Sequence, residues 1–274
     1  MKVRLGYSPD PDDAFMLCGL VRGRVPLPGI EIETLTEELE SLNRRARAAE
    51  LEVTAISVAT YLLVADRYRI VDAGAALATD SGPIVVAREP LDASDVAARV
   101  VAIPGSHTTA SLLLRIYGGD PPLIEVPFEK IPAAVREGQA DLGLLIHEGE
   151  LTHRALGLVK VLDLGERWRR DTGLPLPLGL NVVRRDLDES IQGQLAQALR
   201  DSVAWARVHV DEALDHAMAY ARGMDRATCR RFVDLYVNEY AAGLGTQGRA
   251  ALARLFTEAQ RRGLIERVPP LDPC

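Results

Sequence analysis

Two stretches of the chain, RRARAAELEVTAIS at residues 44–57 and AAVREGQADLGLLIH at residues 133–147, follow one plan. Each starts as an Ala- and Arg-rich helical segment, passes through a short polar turn and an acidic residue, and enters an apolar strand. Each strand ends on a polar residue, Ser57 in the first stretch and His147 in the second. This repeated order of helix, turn and strand predicts two similar α/β lobes.

The two lobes are also marked by a second pair of strand ends. Residues 2–7 alternate as a short strand and run into SPDPDD, and residues 100–103 form a strand that runs into PGSHTT. Ligands of open α/β sheets bind at the carboxyl ends of the strands. Two lobes that face each other therefore bring all four strand ends around one cleft.

The lobes are expected to interleave along the chain. We assign residues 91–179 to the smaller α/β lobe, and residues 1–90 together with 180–274 to the larger lobe with its helical C-terminal tail. Two crossover strands, near Val85 and near Val182, are expected to act as hinges between the lobes. The predicted fold class is therefore α/β, with two lobes, a central cleft and two hinge crossovers.

Composition excludes several classes of protein. The 274 residues carry 32 Lys and Arg against 39 Asp and Glu, a net charge of −7, and 47% are hydrophobic. This apolar content is enough for a core, so the chain is not a disordered one, and the absence of a basic stripe disfavours a nucleic-acid partner. The apolar runs are far shorter than the ~20 residues of a membrane span, and the start, MKVRLGYSPD, is not a signal peptide. We therefore expect a cytoplasmic protein with no membrane partner.

The SPDPDD segment permits three interpretations. As a helix start, it places Asp10 at the N-cap and Pro11 at the first helical position, with Asp13 reaching back to the cap. Its three acids also permit a metal site, although no further ligand lies nearby in the sequence, and we predict no metal. Its position at a strand end places Ser8 and the loop backbone in the cleft. The sequence leaves the helix cap and the cleft open.

The PGSHTT segment and His147 are the other candidates for chemistry. Free N–H groups at a helix start, with the hydroxyls of Ser106, Thr108 and Thr109, suit an anionic group, although the same residues are typical of a plain helix cap. His147 follows an apolar strand, so it is either a buried core histidine or a base carried into the cleft. The chain has no GxGxxG, P-loop, HExxH, GxSxG or CxxC motif, so we predict no cofactor.

Seven segments in this order resemble the family of 1,4-dihydroxy-6-naphthoate synthases, the lyases of the futalosine route to menaquinone. They are SPDPDDAFM, the strand end at Ser57, SGPIVVAR, VAIPGSHTTA, EGQADLGLLIHE, LPLPLG and YVNEY. The resemblance covers nearly the whole chain. Some members carry Cys and Asn in the first segment (SPCPND) where this chain has Asp10 and Asp12.

The resemblance implies a type II periplasmic-binding-protein fold and the cleavage of cyclic dehypoxanthine futalosine into 1,4-dihydroxy-6-naphthoate and dihydroxyacetone. It implies that His147 is the general base, that Ser106, Thr108 and Thr109 form the family's hydroxyl loop, and that Ser57 is its strand-end serine. The partner is then a small-molecule carboxylate substrate, and synthases of this kind suggest a homodimer. Formation of the aromatic product drives the reaction, so it requires neither a redox cofactor nor a metal.

Three other functions share this fold or this pathway. A solute-binding protein of a transporter has the same architecture but needs export. Chorismate dehydratase, the sister enzyme of the pathway, resembles this family in fold, and the SPDPDD and LLIHE elements favour the synthase over it. A cytosolic ligand sensor would bind tightly without turnover.

Overall fold

The computed structural model describes residues 1–147 and 149–274, in which the chain alternates between strands and helices. The strands are β1 (Lys2–Tyr7), β2 (Glu31–Thr36), β3 (Val53–Ser57), β4 (Tyr68–Ile70), β5 (Ala76–Ala78), β6 (Ile84–Ala87), β7 (Val101–Ile103), β8 (Leu123–Glu125), β9 (Leu142–Leu145), β10 (Val159–Asp163) and β11 (Leu176–Arg184). The α-helices are α1 (Pro11–Val21), α2 (Leu39–Arg47), α3 (Val58–Val64), α4 (Thr109–Tyr117), α5 (Ile131–Arg136), α6 (Gly149–Thr152), α7 (Leu164–Thr172), α8 (Glu189–Val208), α9 (Val210–Ala217), α10 (Arg226–Tyr236) and α11 (Gly245–Arg261). Short 3-10 helices lie at Ala93–Ala98, Phe128–Lys130, Met218–Tyr220 and Glu239–Ala242.

The strands form two sheets, one for each lobe. The first sheet has the order β2-β1-β3-β11-β4, with β5 paired to β11. The second sheet has the order β10-β6-β9-β7-β8. In each sheet the strands joined through helices are parallel, β1, β2 and β3 in the first and β7, β8 and β9 in the second, as crossover connections require. The returning strands β11 and β6 are antiparallel to their neighbours.

The chain crosses between the sheets twice. It leaves the first sheet after β5, enters the second at β6, and returns from β10 through α7 to β11. The two crossing segments touch, because a Cβ atom on Gly82 would lie 2.7 Å from Cα of Gly165. Only glycine therefore fits at this contact.

The crossings lie earlier in the chain than the sequence suggests. Val85 lies inside β6 of the second sheet and Val182 inside β11 of the first, so neither residue is itself in a connecting segment. The predicted lobe boundaries at 90/91 and 179/180 each fall several residues after the change of sheet. The reason is that the apolar runs at both places are paired strands, whereas the connections before them carry the Gly and Pro residues.

The C-terminal helices cover the first sheet. Helices α8 and α9 pack on α1, and α11 packs on β11. Leu195 and Leu199 of α8 join a buried cluster with Val3 and Leu5 of β1. This packing fixes α1, and with it the SPDPDD segment, against a rigid base.

Candidate active site

A cavity of about 370 Å³ lies between the two sheets, at the carboxyl ends of their parallel strands. This volume is within the range of roughly 300–1,000 Å³ that small-molecule sites occupy. Ser8 after β1, Ser57 at the end of β3, Thr108 after β7 and His147 after β9 all line it. The four strand ends that the repeat predicts therefore do meet in one cleft.

The SPDPDD segment starts a helix and also faces the cleft. Asp10 is the N-cap of α1 and Pro11 its first residue, but the Asp10 side chain makes no cap hydrogen bond. Asp13 does reach back, to Ser8 rather than to Asp10: its Oδ2 accepts from Ser8 N at 3.0 Å and from Ser8 Oγ at 2.8 Å. Among the described residues no group of three His, Cys, Asp or Glu side chains is arranged to hold a metal ion.

Burial makes Asp12 and Asp13 hard to ionise. It raises the pKa of Asp12 well above the usual range and that of Asp13 to about 6, and in Asp13 the hydrogen bonds from Ser8 oppose the rise. Oδ1 of Asp12 is buried and has no hydrogen-bond partner among residues 1–147 and 149–274. A protonated carboxyl is the form that such surroundings favour.

Ser57 is held by Asn43, which belongs to none of the sequence motifs. Asn43, fully buried on α2, accepts from Ser57 N at 2.8 Å through Oδ1 and donates to Ser57 Oγ at 3.0 Å through Nδ2. This reciprocal pair fixes the end of β3 where it enters α3. Asn43 lies four residues after Leu39 and so shares the buried face of α2 with Leu39, Leu42 and Ala46. Its polar side chain hid this position, although the helical spacing could have found it.

The three residues of the hydroxyl loop do not all face the same cavity. Thr108 caps α4, since its Oγ1 accepts from Ser111 N at 3.2 Å. Thr109 Oγ1 donates to the carbonyl of Leu178 on β11 at 2.7 Å, which joins the two lobes. Both threonines line the cleft.

Ser106 is placed differently from the two threonines. Its hydroxyl donates to Glu125 Oε1 at 2.5 Å, and it lines a second cavity of about 270 Å³. Ser106 is not among the described residues that line the cleft, and it is therefore not proposed as a substrate contact.

His147 stands at the end of β9 with its ring in the cleft. Its φ of 52° lies in the left-handed region, which is uncommon for a residue other than glycine and costs about 1–2 kcal/mol. The ring packs edge-on against Phe128, with centroids 5.3 Å apart, and lies 6.1 Å from the ring of Phe232. Its side chain is 18% exposed, and Nε2 lies 3.6 Å from Asp10 Oδ2. The sequence leaves open whether His147 lies in the core or in the cleft, and the structure places its ring in the cleft lining.

Arg222 contacts two residues of the cleft lining, Asp10 and Phe128, and was also missed. It donates to Asp10 Oδ1 at 2.8 Å, and its guanidinium lies 4.4 Å from the ring centroid of Phe128. Asp10 therefore lies between the guanidinium and the imidazole of His147, and Arg222 fixes it there.

The cleft is acidic. Its described lining includes the side chains of Asp10, Asp12, Asp13, Glu38, Glu40, Glu129 and Glu150. None of the lining residues that the structure describes is a Lys or an Arg. A bound carboxylate would therefore depend on N–H and O–H donors. Protonation of the acids that lie close to it would remove their repulsion of its charge.

The comparisons with known proteins decide the family. The family model for menaquinone biosynthesis matches residues 3–261, nearly the whole chain. The chain belongs to this menaquinone biosynthesis family. The predicted resemblance is thereby confirmed, and two curated relatives that are named as enzymes confirm the prediction that the protein is an enzyme.

Two curated relatives of the menaquinone biosynthesis family carry one name, 1,4-dihydroxy-6-naphthoate synthase. The relative from Thermus thermophilus is 43% identical over 97% of both chains. The relative from Streptomyces coelicolor is 38% identical over 99% of this chain and 96% of its own. These two names support a role in menaquinone biosynthesis.

Solved structures confirm the fold. A protein from Archaeoglobus fulgidus matches with a TM-score of 0.91 and 44% identity, covering 96% of this chain and 98% of its own. The alkanesulfonate-binding protein SsuA from Xanthomonas axonopodis, solved with MOPS, matches with a TM-score of 0.73 at 12% identity, covering 98% and 95%. The second likeness shows the periplasmic-binding-protein fold alone. No helix of residues 1–147 and 149–274 is both long and apolar enough to span a membrane.

Proposed function

We propose that the protein splits cyclic dehypoxanthine futalosine into 1,4-dihydroxy-6-naphthoate and dihydroxyacetone, with His147 as the general base. The name shared by two relatives over nearly the whole chain supports this reaction. The observation that carries the role of His147 is its imidazole in the cleft, held next to Asp10 on a strained backbone. Strained residues cluster at sites where geometry serves function.

The reaction needs little beyond a positioned base. One proton is removed from the substrate, one carbon–carbon bond breaks, and a ring becomes aromatic. Imidazole is the side chain best suited to exchange a proton near neutral pH. The carboxylate of Asp10 at 3.6 Å stabilises the imidazolium that forms when His147 takes the proton.

The carboxylate of the substrate is proposed to lie against the hydroxyl-bearing strand ends. Ser57, Thr108 and Thr109 line the cleft, and Thr108 starts α4, whose first N–H groups favour an anion. Ser8 is a further proposed contact on the first lobe. The hydroxyl protons of Ser8, Thr108 and Thr109 are donated to Asp13, Gly105 and Leu178. The donors proposed for the carboxylate are therefore the hydroxyl of Ser57, which accepts from Asn43 and keeps its own proton, and the first N–H groups of α4.

The experiment that tests this function offers the purified protein two substrates separately. Cyclic dehypoxanthine futalosine should yield 1,4-dihydroxy-6-naphthoate, detected by chromatography, and chorismate should remain unchanged. Conversion of chorismate instead would identify the dehydratase of the same pathway. Tight binding of the cyclic compound without turnover would support a solute-binding protein or a sensor and overturn the proposal.

A further inference from the structure

Glu150, one of the acids that line the cleft, lies one turn after His147. It lies on α6, and its backbone N donates to the carbonyl of His147 at 3.2 Å. Its side chain is partly buried, and Oε2 accepts from the backbone N of Gly82 at 3.0 Å. The crossing segment between the sheets thereby holds one carboxyl oxygen in place. The phenol of Tyr236 lines the cleft beside it.

The surroundings of Glu150 favour its protonated form. Burial raises the pKa of Glu150 to about 8, and the charge of Asp163 adds to the rise. The hydrogen bond from Gly82, the charge of Arg169 and a hydrogen bond with Tyr236 oppose it. The protonated form of the carboxyl therefore prevails at pH 7.

The proposed reaction has a use for such a group. Because one molecule is split into two with nothing added, the proton that His147 removes has to return to the products, and the imidazolium that carries it can return it. Negative charge also develops on a substrate oxygen while the ring is rearranging. A neutral carboxyl can donate a hydrogen bond to that oxygen, whereas a carboxylate would repel both it and the substrate carboxylate.

We propose that Glu150 is a further catalytic residue of this site, a neutral carboxyl that keeps Oε2 on Gly82 and donates its proton in a hydrogen bond to an oxygen of the bound substrate. This inference rests on the proposed function, since it assigns a role in that reaction. It differs from the role of His147, which accepts a proton from the substrate.

The test compares Glu150→Gln with Glu150→Ala. Glutamine keeps an oxygen for Gly82 N–H and an N–H donor for the substrate but does not ionise, whereas alanine loses both. At pH 7 we expect Glu150→Gln to keep kcat/KM within about threefold of the wild type. We expect Glu150→Ala to lose about 10- to 100-fold, the worth of a hydrogen bond to a charged group.

A pH series separates this role from a structural one. Between pH 7 and pH 9 the wild type should lose about tenfold in kcat/KM as Glu150 ionises, and Glu150→Gln should stay level. Thermal unfolding of both variants at pH 7 shows whether each is folded. A folded Glu150→Gln variant that is as inactive as Glu150→Ala would overturn the proposal, and so would identical pH profiles of the wild type and Glu150→Gln.

Binding of 1,4-dihydroxy-6-naphthoate, followed by its fluorescence, tests Glu150 without turnover. The wild type should bind this compound about tenfold more weakly at pH 9 than at pH 7. Glu150→Gln should show only the change that ionisation of the ligand itself causes, which is common to both proteins. If the wild type does not split the cyclic substrate, the proposed function fails, and this binding difference still decides the state of Glu150. Equal changes in both proteins contradict the inference.

Discussion

Replacement of Asn43 by alanine tests how the end of β3 is held in place. Asn43 is fully buried and makes two hydrogen bonds to Ser57, one to its backbone N–H and one to its hydroxyl. Asn43→Ala leaves the buried N–H of Ser57 without its partner, which costs about 1–3 kcal/mol. The space left by the amide adds about 1 kcal/mol. We therefore expect the free energy of unfolding to fall by about 2–4 kcal/mol.

The same change should weaken ligand binding, because Ser57 is then no longer fixed in the cleft. Loss of one hydrogen bond to a carboxylate, about 1.4 kcal/mol, corresponds to a tenfold weaker affinity for 1,4-dihydroxy-6-naphthoate. Gln192→Ala is the matched control. Gln192 is a buried amide outside the described lining of the cleft, and its Nε2 donates to the carbonyls of Arg185 and Leu187.

Urea denaturation and fluorescence titration measure the two effects. Both variants should be destabilised by a similar amount, but only Asn43→Ala should bind the naphthoate more weakly. If Asn43→Ala unfolds at the urea concentration of the wild type, the buried pair with Ser57 does not exist as described. If it is destabilised but binds with unchanged affinity, Ser57 is not a substrate contact.

Two further predictions concern charge. Glu150 has a pKa of about 8 in the folded chain and an ordinary value of 4.5, so its contribution to stability is complete below pH 4.5 and is lost as the pH rises towards 8. The free energy of unfolding of Glu150→Gln, measured in urea, should therefore rise relative to that of the wild type by up to about 3 kcal/mol between pH 4.5 and pH 7. Parallel curves of this free energy against pH would contradict the prediction. Glu125 joins the lobes, since Arg44 Nη2 of α2 donates to its Oε2 at 2.5 Å and Ser106 to its Oε1. Glu125→Ala should weaken naphthoate binding about two- to fivefold at low salt and less at high salt, because an exposed pair contributes at most about 1 kcal/mol. Equal affinity at low salt would show that this contact between the lobes does not support binding.

The strand ends of the cleft were within reach of sequence reasoning. Ser8, Ser57, Thr108 and His147 each follow an apolar strand, and the carboxyl ends of parallel strands meet at one edge of a sheet. Position along the strand is a local property, so the pattern of the chain shows it. Ser106 marks the limit of such reasoning, because Thr108 and Thr109 of the same segment line the cleft while the hydroxyl of Ser106 turns to Glu125.

The residues that the sequence did not reveal depend on contacts between distant parts of the chain. Arg222 meets Asp10 across 212 positions, and the positive φ of 48° at Arg222 is set by the turn before α10. Asn43 is on the apolar face of α2 by its spacing from Leu39, but it meets Ser57 only when β3 and α2 pack. Glu150 acquires its raised pKa from burial beside the crossing segment at Gly82 and the helix that carries Tyr236. No local pattern of polar and apolar residues encodes these encounters.

The same limit applies to the connections between the lobes. The apolar runs around Val85 and Val182 are evident as strands, but a strand's sequence does not say which sheet it joins. The hydrogen-bonded pairing of the strands shows which sheet each joins, and the crossings lie before β6 and before β11. The close approach of Gly82 to Gly165 at that point is visible only in three dimensions.

The role of His147 is tested most directly by His147→Asn. Asparagine tolerates the left-handed backbone that this position adopts, so the loop keeps its shape, while the amide cannot accept the proton. We expect turnover of cyclic dehypoxanthine futalosine to fall at least 100-fold, as for loss of a general base, with the affinity for 1,4-dihydroxy-6-naphthoate within about threefold of the wild type. Turnover close to that of the wild type would contradict the account and remove His147 from the reaction.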